Sequence, residues 1–324
     1  MPTAVVCWRG LCYFDTVSTQ SSNPPSAKQR VHRFVTNDFT LRAAVVNSTA
    51  VVQEMQKLQN AFALPAVAVG RCMTGALLLA SQLKEKQQVG LLFRGNGSLA
   101  QIYAEATFEG QVRGYTPYPQ YEPPTYQEGL SLKKHIGNGT LTVARHVPFQ
   151  KQPFQGTVEM VSGEVGDDIA NYLIQSHQIR SIVSLGVYVN REGTVQSAGG
   201  IILEVMPGVE DSLVEVVQKN AAELFMPVSE LILDGATENE IIAPYLNGIP
   251  YTELDHDYPL SYSCPCTKDR VMRALEVLGI AELEDMVSKN ENADITCQMC
   301  GRPYEVSVTE LEDLKENLRK NSMH

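Results

Sequence analysis

Four cysteines in the last fifth of the chain, Cys264-Pro265-Cys266 and Cys297-Gln298-Met299-Cys300, constrain the fold more than any other feature. Each pair brings two sulfurs to one point from a tight turn, and the 30 residues between the pairs are enough chain to fold helices and return. The pattern predicts one four-thiolate zinc site with Cys264, Cys266, Cys297 and Cys300 as ligands. Structural zinc ribbons use two intervening residues in both halves, so the one-residue spacing of the first half points to a role beyond stapling.

A chain of 324 residues exceeds the comfortable size of one core, and two or three domains are expected. Seven cysteines are too few for a disulfide scaffold, and no apolar segment follows a basic start. A reducing, cytoplasmic compartment is therefore expected. Residues 1–29 are Ser/Pro-rich with little periodicity and read as a disordered extension. Their scarcity of acidic residues leaves organellar targeting open, although arginine is scarce too. The most apolar stretch, Ala66 to Leu83, carries Arg71, Thr74, Ser81 and Gln82, which predicts a buried helix rather than a membrane span.

The net charge of -11 is unevenly spread. Residues 1–200 carry 17 Lys and Arg against 13 Asp and Glu, whereas residues 201–324 carry 9 against 24. An acidic C-terminal third repels phosphate backbones, so its zinc module is not expected to bind nucleic acid.

Residues 30–208 read as one α+β domain with a mixed or antiparallel sheet. A helix starts near Ser48 with Val51, Met55 and Leu58 on one stripe, and a second carries Pro65 in its first turn. Strands and tight turns follow from Leu91 to Tyr115, with Gly95-Asn96-Gly97 expected to supply positive φ angles; a second Gly-Asn-Gly stands at Gly137 to Gly139. Neither triplet opens a phosphate loop, because no G-x-G-x-x-G precedes a helix and no Gly-Lys pair occurs. A helix through Ile169, Tyr172 and Leu173 leads to strands at Ser181–Val189 and Thr194–Met206, where Gly199-Gly200 marks a bulge or a close backbone approach.

Residues 209–260 form helical pieces broken by Pro227, Pro244, Pro250 and Pro259, an acidic linker expected to be marginally stable by itself. In residues 261–324, Thr267 caps a helix through Val271, Leu275 and Leu278, and a short helix covers Glu282 to Lys289. A strand holds Tyr304 and Val306, and Thr309 with Glu312 is the expected capping box of a last helix striped by Leu311, Leu314 and Leu318. So small an apolar content predicts metal dependence, since zinc supplies about 10–16 kcal/mol to comparable domains.

The ordered set Gly97-Ser98-Leu99, Val112-Arg113-Gly114, Ser162-Gly163-Glu164, Ala198-Gly199-Gly200 and Val205-Met206-Pro207, followed by both cysteine pairs and Gly301, is specific. Over nearly its whole length after residue 30 the chain resembles the heat shock protein 33 family of redox-regulated chaperones. The resemblance implies a zinc-loaded reduced form that is inactive. It also implies an oxidised form that has lost zinc, formed disulfides within each half, loosened its linker, dimerised and become able to hold unfolding client proteins without ATP. Of the three connectivities open to four cysteines, Cys264–Cys266 and Cys297–Cys300 join the pairs nearest in sequence. Zinc keeps the sulfurs as thiolates, the form that peroxide or hypochlorous acid attacks. Apolar linker residues such as Leu224, Phe225, Ile232, Ile241 and Ile242 are the surface expected to appear. The amino-terminal extension and Cys7, Cys12 and Cys72 depart from the family pattern. Cys72 reads as a buried helix residue, and Cys7 and Cys12 as incidental thiols.

Three other functions compete with this reading. A catalytic zinc keeps an open coordination position, whereas four sulfurs close the shell; neither H-E-x-x-H nor G-x-S-x-G occurs, so the chain is not expected to be an enzyme. A nucleic-acid module is disfavoured by charge. A constitutive chaperone or interaction protein with a purely structural zinc would act equally before and after peroxide. His256, between Asp255 and Asp257, is a candidate fifth ligand or a solvated linker histidine.

Overall fold

Helix α1 (Thr49–Gln59) leads directly into α2 (Ala63–Ala80), which contains most of the apolar run. α2 is long and apolar enough to cross a membrane, but all 18 of its residues are buried. Small residues allow that burial: a Cβ on Gly70 would stand 2.7 Å from Val52, and one on Gly75 2.5 Å from Ile169. The one cation in the helix, Arg71, pairs with Glu164 at 2.7 Å.

The computed structural model describes residues 3–8, 11–16, 29–124 and 131–321. These divide into two units, Met1–Ser263 and Cys264–His324.

In the first unit α2 lies between two sheets. One has seven strands in the order β12 (Tyr251–Leu254), β3 (Val31–Thr36), β4 (Leu41–Asn47), β11 (Val195–Val205), β10 (Ser181–Val189), β1 (Thr3–Trp8) and β2 (Leu11–Thr16), all antiparallel to their neighbours. The other has six: β13 (Ser261–Tyr262), β7 (Gln111–Tyr115), β6 (Gln101–Thr107), β5 (Gln88–Gly95), β8 (Gly139–His146) and β9 (Phe154–Glu159), antiparallel apart from the β13–β7 pair. α3 (Leu132–Ile136) and α4 (Val165–His177) complete this side of the molecule. The expected α+β architecture is observed.

Strands β4 and β11 of the seven-stranded sheet are apolar on both faces. Ala44, Val46, Ala198 and Ile202 join the core around α2, while the alternate residues Ala43, Val45, Ile201 and Leu203 face a second core. That second core is closed by residues 209–246, in α5 (Asp211–Ala222), α6 (Val228–Leu233) and α7 (Glu238–Ile242). The acidic segment is thus folded onto the sheet, burying Val217, Val228, Ile241, Ile242 and Leu246. Val216, Phe225 and Met226 are exceptions among its apolar residues, being exposed already.

α6 rests on a floor of glycine. Gly186 and Gly199 are cross-strand partners; a Cβ on the first would meet Ser229 at 2.6 Å, and one on the second would meet Ile232 at 2.2 Å. The Gly199-Gly200 pair therefore marks a close approach, and the register shift of this strand pair falls instead at Tyr188/Val189.

Of the two Gly-Asn-Gly segments, the first differs from expectation. Gly95 and Gly97 do not have positive φ. They are small because the second segment lies against them: ideal Cβ atoms would come within 1.9 Å of the Ile136 carbonyl and 2.4 Å of that of His135. The Gly97 and Leu99 amides donate to those two carbonyls at 2.9 and 2.8 Å. Gly137, at φ +78, is the glycine that does use the left-handed region.

Where residues 1–29 were expected to be disordered, β1 and β2 form a hairpin at the sheet edge, tied to β10 through Val5 opposite Val189. Val5, Val6, Tyr13 and Phe14 supply the β-branched and aromatic residue types that strands favour. Residues 17–28, the Ser/Pro-rich part, lie outside the described residues.

The second unit contains α8 (Lys268–Glu276), α9 (Ile280–Ser288), the β14 (Ala293–Thr296) and β15 (Pro303–Val306) hairpin, and α10 (Val308–Asn321). Thr267 caps α8 as expected, its hydroxyl accepting from the Arg270 amide. Leu278 does not belong to the buried stripe: α8 ends before it, Gly279 turns the chain at φ +86, and Leu278 is exposed. The capping box of α10 is Ser307 with Glu310, two residues earlier than expected. The Ser307 amide donates to the Glu310 carboxylate at 2.9 Å, and the Glu310 amide donates back to Ser307 at 3.3 Å. Thr309 and Glu312 have the same spacing, but the chain enters the helix directly from β15, which fixes the earlier start.

Candidate metal centre

Two turns build the centre, both within the second unit. Cys264 and Cys266 stand just before the α8 cap residue Thr267, where Arg270 Nη1 donates to the Pro265 carbonyl at 3.0 Å and braces the first turn. Cys297 follows β14 directly. Its amide donates to the Arg302 carbonyl at 2.9 Å, and its carbonyl accepts from the Gly301 amide at 2.8 Å, closing the second turn around Cys300. Gly301 adopts φ +73, which favours glycine and explains the residue that follows the second pair.

The turns bring the four Sγ atoms within 4.8 Å of one another. Cys264 and Cys297 are 4.0 Å apart, and Cys266 and Cys300 3.4 Å apart. A tetrahedral ion held by thiolates at about 2.3 Å requires sulfur separations of about 3.8 Å, so the cluster fits such an ion closely. All four cysteines are unbridged thiols. Cys300 is buried and the other three half-buried. Burial pushes the Cys300 and Cys266 thiols up from their ordinary value, as does crowding by Cys264. Four thiolates cannot share so small and dry a space without a compensating cation; the donor set therefore asks for a metal.

Tyr304 supports the ligands, its hydroxyl donating to Cys266 Sγ at 3.1 Å. That bond opposes the effect of burial on Cys266, and a donor of this kind orients the sulfur it touches. The sequence marks Tyr304 only as a strand residue four positions after Cys300; nothing in the pattern shows where its hydroxyl goes. Lys268 and Glu310 pair at 2.6 Å beside the same turns, and the lysine holds the Glu310 carboxyl down at about 2.

The remaining candidates are elsewhere. Cys72 is fully buried in α2, and burial drives its thiol far up, leaving it unreactive. His256 is not one of the clustered residues and is not solvated. It is buried between Phe108 and Tyr258, with ring centroids at 4.7 and 5.3 Å, and its Nδ1 has no hydrogen-bond partner. Burial first, then Arg33 and Arg30, lower it to about 4. The other residues that carry the resemblance are structural. Arg113 joins Glu105 at 2.6 Å, Gly114 allows Met73 and Val69 to approach, and Glu164 holds Arg71 and accepts from the Leu132 amide.

Fold and site together define a class: an α+β unit of two sheets around a buried helix, followed by a small module whose candidate metal ligands are all cysteine. Residues 29–307 match the family model described as Hsp33 protein. The chain belongs to the Hsp33 family. It is 33% identical to the 33 kDa chaperonin of Bacillus pumilus over 285 residues, 87% of this chain and 97% of that protein. It is 36% identical to the 33 kDa chaperonin of Synechococcus elongatus over 282 residues, 86% of this chain and 94% of that protein. The crystal structure of the Thermotoga maritima 33 kDa chaperonin is similar with a TM-score of 0.81 at 30% identity, covering 91% of this chain and 99% of the other. The named relatives are chaperones, not enzymes, in keeping with a closed four-sulfur shell.

Proposed function

We propose that the protein is a redox-switched, ATP-independent holdase whose sensor is a zinc ion held by Cys264, Cys266, Cys297 and Cys300. The observation that carries this reading is the convergence of four unbridged thiols in a unit with only a small apolar core. Bound zinc would keep all four sulfurs as thiolates and supply folding free energy on the order of 10–16 kcal/mol.

Oxidation acts on the chain's own sulfurs. One thiolate of a half attacks a peroxide oxygen, the O–O bond breaks and, with a proton, water leaves; the sulfenic acid formed is then attacked by the second thiolate, expelling another water. Each half loses two electrons, one peroxide becomes two waters, and neither sulfur can then serve as a thiolate ligand. The sulfur contacts at 3.4 and 4.0 Å join opposite halves, so distance in the assembled cluster does not select the connectivity. The within-half bridges Cys264–Cys266 and Cys297–Cys300 are proposed because each half is a turn that persists when the module opens.

Release then passes to residues 209–260. β13 is clipped to β7, the Ser263 amide donates to the Val112 carbonyl at 3.0 Å, and Cys264 follows at once, so disorder spreading back from the cysteines meets this clip first. Loss of the clip and of β12 would free α5 to α7 and uncover Ile232, Ile241 and Ile242 for unfolding clients. Two oxidised copies would associate, and the compartment would be the cytoplasm.

Metal release, thiol oxidation and suppression of client aggregation should be followed together during peroxide treatment. The reading requires all three to rise in step and to reverse with reductant. Holding activity that is equal before and after oxidation would leave a constitutive chaperone with a structural metal.

A further inference from the structure

Residues 250–260 run along the outer side of β3, and they fit it badly. The Pro250 carbonyl accepts from the Asn37 amide at 3.0 Å, and Tyr251–Leu254 then pair with Thr36 back to Arg33. Pairing resumes only at Pro259, opposite Arg30, and at the Leu260 amide, which donates to the Gln29 carbonyl at 2.7 Å. Five steps of the covering chain, Leu254 to Pro259, therefore span three steps of β3, Arg33 to Arg30. Among the described residues Val31 and His32 have no cross-strand partner on this side. β12 has four residues, three of them exposed, whereas Val31, Phe34 and Thr36 of β3 are buried and β3 is paired with β4 behind. A well-supported edge is closed by a weak strand.

The side chains of β12 show what the edge accepts. Antiparallel pairing puts Tyr251 and Glu253 on the same face as His32, Phe34 and Thr36. The Tyr251 ring meets Phe34 edge-on with centroids 5.7 Å apart. His32 Nδ1 donates to the Glu253 carboxylate at 2.7 Å, and Arg30 lies 3.9 Å from that carboxylate and 3.0 Å from Asp257. Arg33 adds a cation whose Nε is buried without a hydrogen-bond partner among the described residues.

We propose that β3 is a docking edge for an extended polypeptide segment carrying an aromatic side chain and, two residues on, a carboxylate, and that β12 is the chain's own occupant of it. The proposal rests on the holdase reading for the event that lifts β12. When β12 leaves, β3 becomes the edge of the sheet, and Arg30 and His32 lose the Glu253 carboxylate. A client segment then completes the sheet by strand addition: main-chain bonds tolerate many sequences, and the aromatic–acid pair sets the preference. A regular strand carries no surplus residues, so it pairs with β3 without the interruption that Leu254 to Pro259 impose.

The probe is a fluorescent peptide of residues 249–255, read by anisotropy with the full-length protein. By the alternation that starts at Pro250, the Thr252 amide faces β3 and the Glu253 amide faces away. The peptide should bind the oxidised protein and not the reduced, metal-loaded one. N-methylation at Thr252 should abolish binding, and N-methylation at Glu253 should leave it unchanged. Glu253→Lys in the peptide should weaken binding about tenfold, the scale of reversing an exposed charge pair, and Arg30→Glu/His32→Glu in the protein should invert that preference. Thr252→Pro in the protein removes a rung of β12 and should let the reduced protein bind. Binding to that variant but not to oxidised wild type supports the docking edge and overturns redox release. Absence of binding in both overturns the docking edge, and the holdase reading survives if the oxidised protein still suppresses aggregation. Binding indifferent to N-methylation at Thr252, or equal in reduced and oxidised wild type, overturns the docking edge as well.

Discussion

The two units are held by different means. In the first, α2 is enclosed on all sides, and the seven-stranded sheet buries apolar side chains on both faces. In the second, the apolar core is Val271, Leu275, Leu283, Val306, Leu311 and Leu314, of which Leu283, Val306 and Leu311 are fully buried. Burying a side chain of this size contributes about 1.5–3 kcal/mol, and ordering each residue costs about 1–2 kcal/mol of backbone entropy. Across some sixty residues that core falls well short by itself. What the difference teaches is that the second unit needs support from outside its own apolar core, which its cysteine cluster is placed to supply, and the first does not.

The largest effect should come from removing the metal ligands. Chelation, or Cys300→Ser, is expected to unfold residues 264–321 and leave the first unit intact, read as loss of amide protection confined to the second unit. Equal protection loss in both units would break the comparison. Next in size is Ile242→Ala, which empties a fully buried site in the linker and should cost about 2–5 kcal/mol. Its expected result is partial holding activity before any oxidant is added, with the metal still bound. If the variant lowers overall stability without raising that activity, the linker is not the concealed surface.

The smallest effect concerns pH. His256 is held neutral in the folded protein at about 4, below its ordinary 6.5, so the unfolded segment binds a proton that the folded one refuses. Docking of residues 251–262 should therefore be unaffected above pH 6.5. It should weaken as pH falls from there towards 4, by up to about 1.4 kcal/mol per pH unit. Glu109 opposes the effect, while burial, Arg33 and Arg30 drive it. Hydrogen exchange at β12 and β13 measures it, and His256→Phe should remove the slope.

Much of this was legible in the sequence because it rests on spacing. The cysteine pairs and the apolar run of α2 each report their own geometry. What stayed hidden depends on partners distant in the chain. Gly95 and Gly97 answer to carbonyls some forty residues on, His256 to Phe108, and Tyr304 to Cys266. The capping box was misplaced because two overlapping candidates share one spacing, and only the end of β15 chooses between them. Asp255 and Asp257 made His256 look like a surface residue, although its ring turns inward between aromatic edges.

The paired Gly186 and Gly199 beneath α6 set how closely that helix can seat. Bare peptide at both positions leaves room for Ser229 and Ile232 to come down onto the strands, where the Ser197 hydroxyl donates to the Ser229 carbonyl at 2.6 Å. Any methyl group added to that floor would act as a permanent wedge and hold the helix off its seat.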